Sequence, residues 1–308
     1  MSYEAAQNNE SLQPPTHGGN RTNGSSPLEK DFSNGYDLHH NMDEGEALKR
    51  IQTAGSISIS PELFEKLYLS PQNKVSGDLR KTFGNPTPLC LVGFLLSLTP
   101  LSCDLMGWRG AGGSGAASTG AYFFFGGLLM ILGAIGEWIL GNTFPFVVFG
   151  SFGAFWLTFG ATLQPFYNAY GAYSPDPSIP GEGLATTGFN ASFAFFLLFM
   201  GLLCFIYFIC ALRTNVVFVL IFILLVPSFG CLAGAYWHLA MDPKSTIVTP
   251  LLIAAGAMTF VIDMLGWYLF FGILLASLDF PFSLPVGDLS RMIKGGSEKA
   301  RDKGEHSA

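Results

Sequence analysis

Six stretches of the chain carry apolar residues on every face for about 20 positions each: 89–108, 121–140, 144–166, 189–212, 216–239 and 251–275. That length is what a helix needs to cross ~30 Å of hydrocarbon. Strands of a membrane barrel would instead alternate polar and apolar side chains over about ten residues. The pattern therefore predicts an all-α integral membrane fold, a six-transmembrane-helix bundle with disordered cytoplasmic tails. The membrane core is 85–278, between an N-terminal tail over 1–84 and a C-terminal tail over 279–308.

The tails read differently from the core. Residues 1–55 are rich in Asn, Ser, Gly and Pro, a composition that cannot bury enough apolar surface to fold alone. Within the N-terminal tail, a short helix is expected over 60–69. Ser60 suits the N-cap, Pro61 the first helical position, and Leu63, Phe64 and Leu67 share one face. It either lies along the membrane surface or remains a transient helix in the tail. The segment from Asp279 to Ala308 is charged and is expected to be mobile. Nothing before Tyr68 has the basic and apolar regions of a signal peptide, so the first span is expected to direct insertion.

Composition sharpens this picture. Hydrophobic residues make up 49% of the chain and charged ones 12%. Only nine charges lie between Gly84 and Leu278: Asp104, Arg109, Glu137, Asp176, Glu182, Arg213, Asp242, Lys244 and Asp263. Such a core excludes a secreted disulfide domain, a nucleic-acid binder and an ordinary soluble enzyme. The basic residues set the expected orientation. Lys74, Arg80, Lys81, Arg213, Arg291 and Lys294 flank one side and only Arg109 and Lys244 the other, which places both termini in the cytoplasm. Of the net charge of -6, half falls in the core, with three basic and six acidic residues, and half in the tails, so it says little about partners.

Cys90, Cys103, Cys204, Cys210 and Cys231 all fall inside the spans without a CxxC or Cys/His cluster, and read as small apolar fillers. No metal site and no cofactor are implied. Sequons begin at Asn9, Asn20, Asn23 and Asn190. The first three fall on the cytoplasmic side and the fourth too close to a helix start, so no glycan is expected. HExxH, GxGD, GxSxG and P-loop patterns do not occur, which leaves proteolysis and ATP-driven pumping without machinery.

Small residues mark expected helix contacts: Gly230 with Gly234, Gly150 with Ala154, and Gly126, Gly127, Gly133 and Gly136 on the second span. Polar groups at membrane depth are functional candidates. Glu137 lies near the end of the second span, Asp104 one turn before the end of the first, and Asp263 midway along the sixth. Each is either a structural carboxylate or a protonatable group beside a solute path. His238 reads as an interfacial anchor with Tyr236 and Trp237. The first span begins Asn85-Pro-Thr-Pro-Leu-Cys-Leu91. Asn85 can cap the helix while Pro86 and Pro88 stiffen its first turn, and a helix start exposes N–H groups able to meet a carboxylate.

Asn85-Pro-Thr-Pro-Leu-Cys-Leu91 resembles the N-P-A-P-L-G-L signature of the acetate uptake transporter family. The resemblance continues in Phe125-Gly-Gly127, in Glu137-Trp-x-x-Gly-Asn-Thr-Phe144 and in Gly153-Ala-Phe-Trp-Leu-Thr158, over about residues 82–278. It implies homohexamers with one solute path through each six-helix protomer, carrying acetate and related short monocarboxylates and in some members succinate. It assigns the inner vestibule to Asn85, Pro86, Thr87, Pro88, Leu89 and Leu91. The family's Phe–Tyr–Leu constriction falls on Phe94, Phe152 and Leu225, so a phenyl ring stands where the family has a phenol. Thr87 for Ala and Cys90 for Gly are further departures, each adding bulk or polarity at the expected inner mouth.

The resemblance thus points to a plasma-membrane transporter or channel for acetate-like monocarboxylates, with Glu137, Asp263 and Asp104 as proton-coupling or structural carboxylates. Two other readings stand beside it: the same pore with another small organic acid or ammonia, and a membrane sensor or scaffold worked by the N-terminal tail. The lipid bilayer is a partner in all three.

Overall fold

A computed structural model describes residues 79–289. The stretch 1–55, the helix expected over 60–69, the sequons at Asn9, Asn20 and Asn23, and the chain beyond 289 lie outside the described residues. What is described is nearly all helical, with one isolated antiparallel bridge, Asn215 to Asp288.

Among the described residues, six helical spans are long and apolar enough to cross a membrane. They contain α1 (Thr87–Leu105), α2 (Met130–Ile139), α3 (Thr143–Thr162), α4 (Thr187–Ala211), α5 (Val216–Met241) and α6 (Val248–Ser277). Local chemistry sets their ends. α1 stops at Leu105, short of the expected 108, because Gly107 turns left-handed at φ 69° and its N–H returns to the Asp104 carbonyl. This is a glycine C-cap. Asp104 consequently stands at the last turn's end rather than a turn inside it. α4 begins two residues early because Thr186 accepts from the Phe189 N–H, and α5 begins where Asn215 Oδ1 accepts from the Phe218 N–H at 2.9 Å.

The second span is composite. A short α-helical turn, Thr119–Ala121, runs into a π-helical stretch, Tyr122–Leu129, which leads into α2. Its glycines make the contacts their size permits. A Cβ on Gly126 would lie 2.4 Å from Trp156, one on Gly133 2.2 Å from Cys90 Sγ, and one on Gly136 2.7 Å from Pro86. Gly93 of α1 answers them, packed against the Phe125 carbonyl. The Gly230/Gly234 pair behaves otherwise. Gly230 meets nothing within 4 Å and Gly234 only touches Leu251, so this GxxxG does not draw two helices of the chain together. Gly150 lies against Ala134, while Ala154 is exposed.

The helices neighbour one another in the order α2, α1, α6, α5, α4, with α3 on α2 and α1. Side chains close the gap between α3 and α4: Phe155 stacks on Phe196, and Ser151 Oγ and Tyr207 Oη hydrogen-bond at 2.9 Å. Buried rings of Phe94, Phe152, Phe155, Trp156, Phe222 and Phe229 fill the centre. Large apolar side chains also cover the outside, Phe124, Trp138 and Phe199 each more than 60% exposed. An apolar exterior around an apolar core suits a bilayer, not water.

The tail expected to be mobile from Asp279 begins with an ordered strap. Val216 N–H donates to the Gly287 carbonyl at 2.8 Å and Leu289 N–H to the Thr214 carbonyl at 3.0 Å. Tyr268 Oη donates to the Pro285 carbonyl at 2.7 Å, and Val286 is buried at 2% exposure. Charge in the distal tail masked this apolar Phe-Pro-Phe-Ser-Leu-Pro-Val segment (280–286) in the sequence.

Candidate functional site

Two small cavities lie in the bundle's core, each of about 30 Å³, room for a water or two. One lies towards the start of α1, walled by Leu91, Val148, Phe218, Phe222 and Gly266. The other lies towards the end of α1, walled by Leu101, Phe155, Trp156, Ser228 and Thr259. Three side chains line both: Phe94, Phe152 and Leu225. They come from α1, α3 and α5 and are 8%, 4% and 3% exposed. Phe94 and Phe152 meet edge to face, centroids 6.0 Å apart. These are the residues to which the resemblance assigned the constriction. Behind Phe152 lies the ring of Tyr207, 6.5 Å away, so a phenol stands next to the phenyl ring though its hydroxyl is engaged with Ser151.

The start of α1 does something other than line these spaces. Pro86 takes the cap position and Pro88 the second helical position, while Asn85 Oδ1 accepts from the Thr87 N–H at 2.9 Å. Asn85 thus satisfies an orphan donor from one residue further out than expected. Thr87 and Cys90, the two departures from the signature, both turn towards the second span. Thr87 Oγ1 donates to Glu137 Oε1, and Cys90 sits in the notch at Gly133 with its Sγ 3.8 Å from the Met130 carbonyl. Of the six vestibule candidates only Leu91 borders a cavity described above. Asn85, Pro86 and Pro88 are half-buried and Leu89 is exposed.

The three membrane carboxylates have separate surroundings. Glu137 is 1% exposed; besides Thr87 it receives Asn142 Nδ2 at 2.6 Å, which ties α1, α2 and the turn before α3 together. Asp263 is fully buried on α6 against Ser102 of α1. Asp104 is half-buried, near Gly115 in the segment leading into the second span. No group of three or more His, Cys, Asp or Glu able to hold a metal occurs among the described residues. Sequence reasoning missed Trp156, Ser228 and Thr259, the polar-bearing residues of the second cavity. Only Trp156 had a signal, as part of the Gly-Ala-Phe-Trp-Leu-Thr motif. Its indole N–H is buried without a hydrogen-bond partner among the described residues.

Comparison with known proteins agrees with this architecture. The chain is 51% identical over 236 residues to protein alcS of Aspergillus fumigatus, covering 77% of this chain and 86% of that protein. It is 35% identical to the acetate transporter protein patA of Aspergillus clavatus, over 68% of this chain and 80% of the relative. Among solved structures, that of the bacterial acetate channel SatP superimposes with a TM-score of 0.52 at 26% identity, over 67% of this chain and 99% of that one. The resemblance first seen at Asn85–Leu91 extends, as a family match, over residues 69–291. With that match spanning most of the chain, and six membrane-length helices behind it, the protein belongs to the GPR1/FUN34/yaaH family.

Proposed function

We propose that the protein is a plasma-membrane transporter or channel for acetate and related short monocarboxylates, one path running through each protomer of a homohexamer with both termini in the cytoplasm. The observation that carries this reading is the shared wall of Phe94, Phe152 and Leu225 between two core cavities. A neck of two phenyl rings and a leucine offers a carboxylate no hydrogen bond. It bars ions by dewetting, and passes a small acid when the acid is neutral or when the rings part. The relatives named as acetate transporters support acetate as the solute. Ser228 and Thr259 also border the cavity beside the neck, but their hydroxyls donate to the Leu224 and Ala255 carbonyls of their own helices.

Labelled-acetate uptake into liposomes holding the purified protein tests the reading, with propionate, succinate and ammonium as competitors. Competition by propionate is expected. No acetate uptake, with clear ammonium flux, would move the solute to ammonia. Deleting residues 1–55 is expected to leave flux intact; loss of cellular function without loss of flux would favour a sensor worked by the tail. Phe152→Tyr restores a phenol to the neck and is expected to raise acetate flux several-fold. An unchanged rate would remove Phe152 from the gate.

A further inference from the structure

Asp263 stands midway along α6, fully buried, with Thr259 one turn before it on one cavity and Gly266 one turn after it on the other. It is therefore level with the neck. Across from it, Ser102 Oγ lies 3.1 Å from Asp263 Oδ2 and 2.8 Å from the Thr99 carbonyl oxygen. A serine hydroxyl has one hydrogen and cannot donate to both. Ser102 donates to one of them at a time; with its hydrogen on the nearer Thr99 carbonyl, the hydrogen in its contact with Oδ2 comes from the aspartic acid.

We infer that Asp263 is a proton-binding site of the bundle, carrying its proton in this closed arrangement along the chain Asp263 Oδ2–H to Ser102 Oγ–H to the Thr99 carbonyl. This deepens the transport reading, on which its coupling role rests, although the proton's presence does not depend on what is transported.

Three observations agree. Asp263 Oδ1 has no partner at hydrogen-bond distance among the described residues, although the Thr99 hydroxyl also faces the carboxyl group. For a carboxylic acid that leaves one carbonyl oxygen unpaired; for a carboxylate it would leave half of an anion unsolvated at membrane depth, a much larger penalty. The helices packed on α6 are α1 and α5, and none of these three contains a Lys or Arg to serve as counter-ion; the segment after α1 also meets α6, Trp108 on Phe260, but its Arg109 is exposed. Their other titratable groups are Cys90, Cys103 and Asp104 on α1, Cys231, Tyr236 and His238 on α5, and Tyr268 on α6. The strap, which meets α6 at Tyr268 and Gly272, adds Asp279 and Asp288. Finally, Trp267 Nε1 donates to Thr99 Oγ1 at 3.2 Å, holding the turn of α1 that receives the Ser102 hydrogen. Glu137 differs: a hydroxyl and an amide each donate to one of its oxygens, as suits a carboxylate. Two carboxyl groups with opposed surroundings have separate roles.

Giving up the proton requires Ser102 to turn its hydrogen from the Thr99 carbonyl to Oδ2. That exchange trades a bond within α1 for a charge-assisted one from α1 to α6; because α1 also carries Phe94, it links proton release to the neck.

Infrared spectroscopy of the full-length protein in lipid nanodiscs at neutral pH tests the site. A protonated-carboxyl C=O band, shifted in D2O, is expected in the wild type, lost in Asp263→Asn and shifted in Ser102→Ala. The absence of such a band in folded wild type, or its survival in Asp263→Asn, would overturn the proton site. If Asp263→Asn does not fold, an unshifted band in Ser102→Ala overturns it equally. In liposomes, Asp263→Asn is expected to flatten the pH dependence of acetate uptake while uptake continues. A retained pH profile would overturn the coupling role, whereas a wild type with the band but no acetate flux would overturn the transport reading alone.

Discussion

Thr87 shows how a threonine in place of the signature's alanine is absorbed. The side chain is 4% exposed and its hydroxyl is spent on Glu137, so it adds polarity to a helix contact, not to the path. Thr87→Ala, which returns the position to the signature residue, removes a donor from a buried carboxylate and is expected to cost about 1–3 kcal/mol. Glu137→Gln places an amide N–H2 against Thr87 or Asn142, both of which donate, and is expected to cost about as much. The double variant should lose less than the sum, because removing Thr87 relieves part of the mismatch. Thermal unfolding of the four proteins in detergent measures this, and strict additivity would mean that the pair is not coupled. Glu137→Gln should also retain the pH profile of uptake, which separates its structural role from that of Asp263.

Among the elements, the contact between α1 and the second span is close enough to be exposed to single-atom changes. Cys90 lies where the signature has glycine, and Gly133 opposes it with no side chain. A methyl on Gly133 would overlap Cys90 Sγ and approach the Cys90 N and Pro86 carbonyl at 3.2 and 3.3 Å. Gly133→Ala is therefore expected to destabilise by about 1–3 kcal/mol through overpacking. Cys90→Gly in the same chain should restore most of that loss, the backbone contacts being only slightly short. Failure of Cys90→Gly to rescue, read as melting temperature, would place the strain in the backbone. Glycine spacing is identical at Gly230 and Gly234, but spacing does not tell which neighbour a helix face meets, and here Gly230 meets none of this chain.

For the whole molecule, the six spans were legible because every face of each is apolar, a pattern that only a membrane-sized helix produces. The neck was legible only through resemblance: Phe94, Phe152 and Leu225 sit in runs of phenylalanine and leucine, and no periodicity distinguishes them from Phe155 or Phe229. Trp156, Ser228, Thr259 and the Ser102–Asp263 contact depend on helices meeting 31 to 161 positions apart, which composition does not encode. The strap was hidden because a local segment reads as tail until its partner is known. Its hold on the bundle is concentrated at Gly287, whose φ of 69° is left-handed and whose absent Cβ would lie 2.8 Å from Val216 Cγ2. Gly287→Ala adds a backbone cost of about 1–2 kcal/mol and a contact with a branched side chain that cannot swing away. The strap should open locally, raising hydrogen exchange at the Val216 and Leu289 amides about tenfold, since 1.4 kcal/mol is a factor of ten. Amides in the middle of α1 should keep their protection. Val216 starts α5, and Phe218, Ile221, Phe222 and Leu225 behind it wall a cavity and the neck, so a loosened strap should also change acetate flux. Unaltered exchange at Val216 would show that α5 is held without the strap, and that the C-terminal segment only rests against the bundle.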